Sequence, residues 1–70
     1  ARAALRQACP ALTARELDVC ERLLRGWSHD GIAADLGLSV ATVKTYRARA
    51  FERLGLHFRS ELFARFGARG

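Results

Sequence analysis

A glycine between two short helical patterns constrains the fold more than any other feature of this sequence. Gly37 follows Ile32, Ala33 and Leu36, whose spacing places them on one face of a helix. Ser39, a residue type that caps helix N-termini, comes only two positions after the glycine. Two helices joined by so short a turn must cross steeply, and the sequence therefore predicts a helix-turn-helix.

Another helix is predicted before the helix-turn-helix unit, again from a capping residue at its start and a glycine at its end. Thr13 and Glu16 have the spacing of a capping box, and Gly26 is the expected stop of a helix over about residues 14–25. Ser28 then caps the first helix of the unit. With thirteen alanines and ten leucines against three valines and one isoleucine, helix is favoured over strand throughout.

Two more helices complete the expected fold. The helix after the turn runs from about Val40 to Leu54, where Gly55 stops it, and a last amphipathic helix follows over about 59–67. On the longer helix, small residues and cations share the outward face, so that a groove wall could approach it closely. We therefore expect an all-α fold, a small four-helix domain that contains a helix-turn-helix.

The expected domain fills most of the chain. Residues 1–12 are rich in alanine and arginine and end near the only proline, Pro10, so we interpret them as a linker or a loose helix of a removed upstream region. The domain proper takes residues 13–67, and 68–70 form a tail. A chain that begins at Ala1 and contains no methionine also indicates a fragment or a processed protein, with regulatory parts upstream.

The net charge of +5 comes almost entirely from one segment. Residues 1–39 carry equal numbers of basic and acidic side chains, whereas 40–59 carry five cations against Glu52, and 60–70 add one net positive charge. Clustered positive charge points to a polyanionic partner, although a solvated helix face explains a charge run equally well on its own. The cations of the segment are Lys44, Arg47, Arg49, Arg53 and Arg59.

Several classes of function are disfavoured. The two cysteines, Cys9 and Cys20, and the two histidines have spacings that fit no structural zinc site, and no base is placed beside either thiol. The sequence has no glycine-rich phosphate loop or carboxylate pair, so we expect no enzyme, no metal and no cofactor. Without a signal peptide or a run of about twenty apolar residues, we expect a cytoplasmic protein with reduced cysteines and no membrane contact.

A family resemblance rests on motifs spread along the chain. The segments that carry it are Leu12-Thr13-Ala14-Arg15-Glu16, Gly26-Trp27-Ser28, Ile32-Ala33, Leu36, Ser39, Thr42-Val43-Lys44, Leu54-Gly55-Leu56 and Arg59-Ser60-Glu61. Over about residues 11–67 they resemble the LuxR-type DNA-binding domain, which also closes response regulators of the NarL/FixJ kind. The promoter-reading helix-turn-helix of sigma factors is similar over 39–50 alone, and it stays an alternative.

The resemblance implies that the third helix enters the major groove of double-stranded DNA. Lysine can donate to guanine acceptors, and a threonine methyl can meet a thymine methyl. We expect double-stranded DNA as the main partner and RNA polymerase as a further one. The matching positions are Lys44, Thr45 and Tyr46 for base edges and phosphates, Ser39, Thr42 and Arg47 for the DNA backbone, and Arg49 beside Ala48, near which the family usually has a cation.

The sequence also departs from the family pattern. Val40 and Ala41 are apolar and small where the family commonly has a charged residue, and Tyr46 replaces the commoner histidine. Gly31 stands where a glutamate usually sits. The second helix therefore lacks a capping box, and we expect it to be weaker.

The last helix supports a second hypothesis. Leu62, Phe63 and Phe66 form a face that is too apolar for solvent at the end of so small a domain, and in the family this helix often dimerises. The face predicts a homodimer on two DNA half-sites or, alternatively, a helical module whose main partner is protein.

For DNA binding, four phosphate contacts per subunit predict a log–log salt slope of about −3.6.

Overall fold

The structure, a computed structural model, describes residues 1–67 and consists of helices joined by short loops. Within this range no residue is in a β-strand, which confirms the all-α prediction. The expected tail at 68–70 lies outside the described residues. In chain order the helices are α1 (Arg2–Ala8), α2 (Ala14–Leu24), α3 (His29–Leu36), α4 (Val40–Leu54) and α5 (Arg59–Phe66).

The predicted turn between α3 and α4 is confirmed in detail. Gly37 has φ +70° and ψ +36°, a left-handed conformation that is nearly free of steric cost only for glycine. Ser39 follows as the N-cap, and its hydroxyl oxygen accepts the backbone N–H of Thr42 at 3.1 Å. At the other end of α4, Gly55 takes the same left-handed role with φ +73°. Gly37 thus ends α3, Ser39 begins α4, and Gly55 ends α4, the longest helix.

The core forms where α4 crosses α2 and α3 and where α5 closes over α2. Its members are almost all aliphatic and come from every helix, so each helix buries part of its apolar face in this single cluster. The most deeply buried side chains are Leu5, Leu12, Leu17, Val19, Cys20, Leu23, Ile32, Val43, Ala50 and Leu62.

The N-terminal segment is a correction to the sequence-based interpretation as a linker or loose helix. It contains a regular helix, α1, that packs on α2, and Leu5 and Leu12 are fully buried in the common core. Arg2 fixes the outer side of α1, because its Nη1 lies 3.0 Å from an oxygen of Asp18 and 2.7 Å from one of Glu21. The fold therefore has five helices in the described residues rather than four.

A buried carboxylate joins the start of α2 to α4. Glu16 Oε1 accepts the backbone N–H of Thr13 at 2.9 Å, and the Thr13 hydroxyl accepts that of Glu16 at 3.2 Å, which confirms the capping box. The same carboxylate oxygen lies 3.4 Å from Arg53 Nε on α4. The cap thus also serves as a tertiary contact between the two helices.

The two free cysteines are expected to react very differently with a thiol reagent. Cys20 is buried, and this burial, with a smaller contribution from the Glu16 carboxylate, raises the pKa of its thiol to about 12. Cys9 is only half-buried, so a reagent can reach its sulfur. At pH 8 we expect one thiol per chain to react quickly with dithionitrobenzoate, and the second only after guanidinium is added. A Cys9→Ala variant should be unreactive when folded, and rapid reaction of that variant would contradict the buried position of Cys20.

Candidate nucleic-acid interface

One side of α4 is left uncovered by the rest of the fold. Val43, Ala50, Phe51 and Leu54 point into the core, as their 3.6-residue spacing requires. The opposite side is exposed and alternates small residues with charged ones. Its members are Ala41, Lys44, Thr45, Ala48, Arg49 and Glu52.

The N-terminal end of this face is preorganised by local hydrogen bonds. The Ser39 hydroxyl donates to Thr42 Oγ1 at 2.9 Å while it accepts the Thr42 backbone N–H. Thr45 donates its own hydroxyl proton to the carbonyl oxygen of Ala41 at 3.1 Å. This internal bond leaves the methyl group and an acceptor lone pair of Thr45 for an outside partner.

Three cationic side chains of α4 have charged groups that an anionic partner can reach. Lys44 and Arg49 are exposed and form no ion pair within residues 1–67. Arg47 is half-buried, with its guanidinium carbon 6.0 Å from the centre of the Phe51 ring and its Nη1 3.4 Å from His29 Nε2. These cations lie within six residues of one helix, so their fields add along it.

The other two cations of the charged segment hold the fold together. Arg53 pairs with the buried Glu16, and Arg59 Nη2 donates to the carbonyl oxygens of Leu23 at 3.1 Å and Trp27 at 2.8 Å. These carbonyls are at and just beyond the C-terminal end of α2, where a cation is favoured. The charge count of the segment therefore overstates the number of cations that are available to an anionic partner.

The residues predicted to bind DNA lie at two levels of exposure along α4 and its N-cap. Ser39, Lys44, Thr45 and Arg49 are exposed; Ser39 is the N-cap, and the other three share the uncovered side of the helix. Thr42 and Arg47 are half-buried at its flanks. Tyr46 is also half-buried, and it packs against the core. The structure thus assigns Tyr46 partly to the scaffold.

The predicted dimer face on α5 needs one correction. Leu62 has no exposed surface and packs inside its own domain, so it is not available to a second copy. Phe63 is 39% exposed and lies under the Arg59 guanidinium, while Phe66 is half-buried. Phe58, just before α5, is 69% exposed, and it was not predicted from the sequence as a surface residue. Its place at the N-cap of α5, outside the helical pattern, is the signal that it points outward.

Other kinds of site find no support in the described part of the chain. Among residues 1–67, no three histidine, cysteine, aspartate or glutamate side chains are grouped so that they could hold a metal ion. None of the helices in that range has both the length and the apolar composition that a membrane crossing requires.

Comparison with known proteins gives a consistent family assignment. Residues 10–66 match the family described as bacterial regulatory proteins, luxR family. The chain is 46% identical over 55 residues to a putative HTH-type transcriptional regulator of Aeromonas salmonicida, covering 79% of this chain and 28% of the relative. It is 46% identical over 54 residues to the transcriptional regulatory protein UhpA of Escherichia coli, covering 77% and 28%.

A third relative shows the same partial coverage. The probable transcriptional regulatory protein NarL of Mycobacterium tuberculosis is 42% identical over 55 residues, covering 79% of this chain and 26% of the relative. The chain thus spans about a quarter of the length of these relatives. No solved structure matches it at a significant level. The family match and these identities show that the chain is a helix-turn-helix domain of the luxR family of bacterial regulatory proteins.

Proposed function

We propose that this domain binds double-stranded DNA in a sequence-specific manner, with α4 in the major groove. The observation that carries the proposal is the uncovered side of α4, directly after the turn, where small side chains alternate with cations. A second helix that follows a tight turn and is free on one side is the usual recognition element of helix-turn-helix proteins. The relatives are transcriptional regulators by name, which supports the same function.

Each part of the α4 face has a role that fits its chemistry. Ala41 and Ala48 keep the surface low, so that base edges can come close to the helix backbone. Lys44 is placed to donate to guanine N7 or O6, and Thr45 to place its methyl against thymine. Ser39 and Thr42 sit at the positive end of the helix dipole, where a backbone phosphate is favoured.

Within a whole regulator this domain would act as the cytoplasmic C-terminal effector, controlled by upstream parts. One recognition helix reads only a few base pairs, so useful affinity requires two copies on neighbouring half-sites. We place the contact between copies on α5 through Phe63 and Phe66. For the whole protein we propose a response regulator, because the sequence resembles the domain that closes response regulators of the NarL/FixJ kind.

Lys44→Ala tests the proposed recognition face. On a duplex selected by the wild-type chain from a randomised library, we expect about tenfold weaker binding or more, because a lysine contact to guanine is lost. Arg15→Ala is the matched control, since it removes an exposed cation from α2 and should leave affinity nearly unchanged. Fluorescence anisotropy measures both variants. Equal affinities for the wild type and Lys44→Ala would contradict the placement of α4.

The salt dependence of the same binding tests the charge assignment. With Lys44 on a base edge, the two other available cations, Arg47 and Arg49, predict a log–log slope of about −1.8 per bound domain, less steep than the value of about −3.6 expected from four phosphate contacts. A titration from low to moderate salt gives the slope directly. A flat response would exclude DNA as the partner of this face.

A further inference from the structure

Arg47 contacts one residue on α3 and one on its own helix, α4. Its Nη1 lies 3.4 Å from Nε2 of His29, the first residue of α3, and its guanidinium carbon lies 6.0 Å from the centre of the Phe51 ring on its own helix. A guanidinium can only donate hydrogen bonds, so Nε2 must be the acceptor and the ring proton must sit on Nδ1. The contact therefore requires a neutral imidazole.

The surroundings of His29 favour that neutral form. Burial lowers the pKa of the imidazole, and the cationic side chains of Arg47, Lys44 and Arg59 lower it further, while Asp30 acts in the opposite direction. At neutral pH the ring is thus available as an acceptor. The contacts with His29 and Phe51 define the position of Arg47, and the lowered pKa of His29 is consistent with them.

Arg47 also lines an open groove along the flank of α4. The groove has a volume of about 580 Å³ and continues past Ala48 and Glu52 to the loop between α4 and α5. A free arginine on a helix surface samples many rotamers, and that freedom is lost when it binds a phosphate. An arginine whose guanidinium is already held in place on the flank of α4 avoids most of this loss.

We propose that His29 is a positioning residue for DNA binding: its Nε2 holds the Arg47 guanidinium against Phe51, so that the remaining N–H groups meet a backbone phosphate at the edge of the major groove. The inference rests on the proposed function of α4. His29 lies on α3 and needs no contact with DNA of its own. It acts on the phosphate contact only by holding Arg47 in position.

A double-mutant cycle on the 70-residue chain tests this role. Using the same selected duplex, we expect Arg47→Ala to weaken binding about tenfold and to reduce the salt slope by about one. His29→Ala should give a smaller loss with the wild-type Arg47, and no further loss when Arg47 is already alanine. His29→Gln, whose amide oxygen can accept from the guanidinium, should restore affinity to within about twofold of the wild type.

The controls separate positioning from folding and from the proposed function itself. His57→Ala removes the other histidine, which is exposed in the same groove, and should not change affinity. If His29→Ala lowers the thermal midpoint strongly, His29→Leu keeps the side-chain volume without the acceptor and replaces it in the cycle. Independent, multiplying effects of the His29 and Arg47 changes would overturn the positioning role. If Arg47→Ala binds normally while Lys44→Ala does not, the inference fails and the function stands; if both bind normally, the function fails.

Discussion

Leu62→Ala is expected to unfold a large part of the protein at 25 °C. The side chain is completely buried, and truncating such a leucine costs about 2–5 kcal/mol through lost burial and the cavity that remains. A single core in a chain of this size supplies only about 3–5 kcal/mol of net stability. Urea denaturation followed by circular dichroism at 222 nm should show a midpoint near zero urea or no cooperative transition.

Phe63→Ala is the matched variant on the same helix and has the opposite expectation. Phe63 is 39% exposed, so its loss should cost less than about 1 kcal/mol of folding stability. If α5 forms the contact between DNA-bound copies, this variant should instead weaken the binding of the second copy, seen by sedimentation of the protein–duplex complex. Equal destabilisation by the two substitutions would contradict the orientation of α5.

Removal of residues 1–12 is expected to be at least as damaging. The deletion follows the domain boundary that the sequence suggests, but it discards Leu5 and Leu12, which together contribute about 3–6 kcal/mol by burial. We expect a chain that starts at Thr13 to have little cooperative structure. A midpoint of thermal unfolding within a few degrees of the full chain would show that α1 is dispensable.

Two point variants assign the cause of that loss. Leu5→Ala in the full chain should lose stability comparable with other buried leucines, because its contacts lie between α1 and the core. Arg2→Gln removes only the partly exposed ion pairs with Asp18 and Glu21, and should cost less than about 1 kcal/mol. Together they distinguish apolar docking of α1 from electrostatic attachment.

The helices from α2 onward could be predicted because their ends are determined locally. Thr13 with Glu16, Ser28 and Ser39 each cap a helix through bonds within three residues. Gly37 and Gly55 end α3 and α4 through a backbone conformation that other residues adopt at a cost. Such signals lie entirely in neighbouring residues, so one sequence contains them.

Features that depend on contacts distant in sequence could not be predicted. α1 contains a single buried residue, Leu5, and one large apolar side chain in seven positions gives no periodicity. Leu62 and Phe63 are adjacent and similarly apolar, and only the packing of α5 against α2 decides which of them is buried. In both cases tertiary burial, rather than local pattern, determines the outcome.

The candidate site shows the same division. The exposed position of Lys44 follows from the helical wheel alone. That Arg53 and Arg59 serve the scaffold depends on Glu16 and on the end of α2, which lie more than thirty residues earlier in the chain. Counting charges by segment therefore identified α4 as the candidate helix but overestimated the part of its charge that is free.

The uncovered side of α4 has an evolutionary consequence. Ala41 and Ala48 are exposed, and neither is part of the hydrophobic core. Larger or polar side chains can replace them with little effect on folding, since surface changes of this kind alter stability by less than about 0.5 kcal/mol. If α4 reads the operator as proposed, the choice of operator can diverge between duplicated genes while the framework that presents this helix is inherited unchanged.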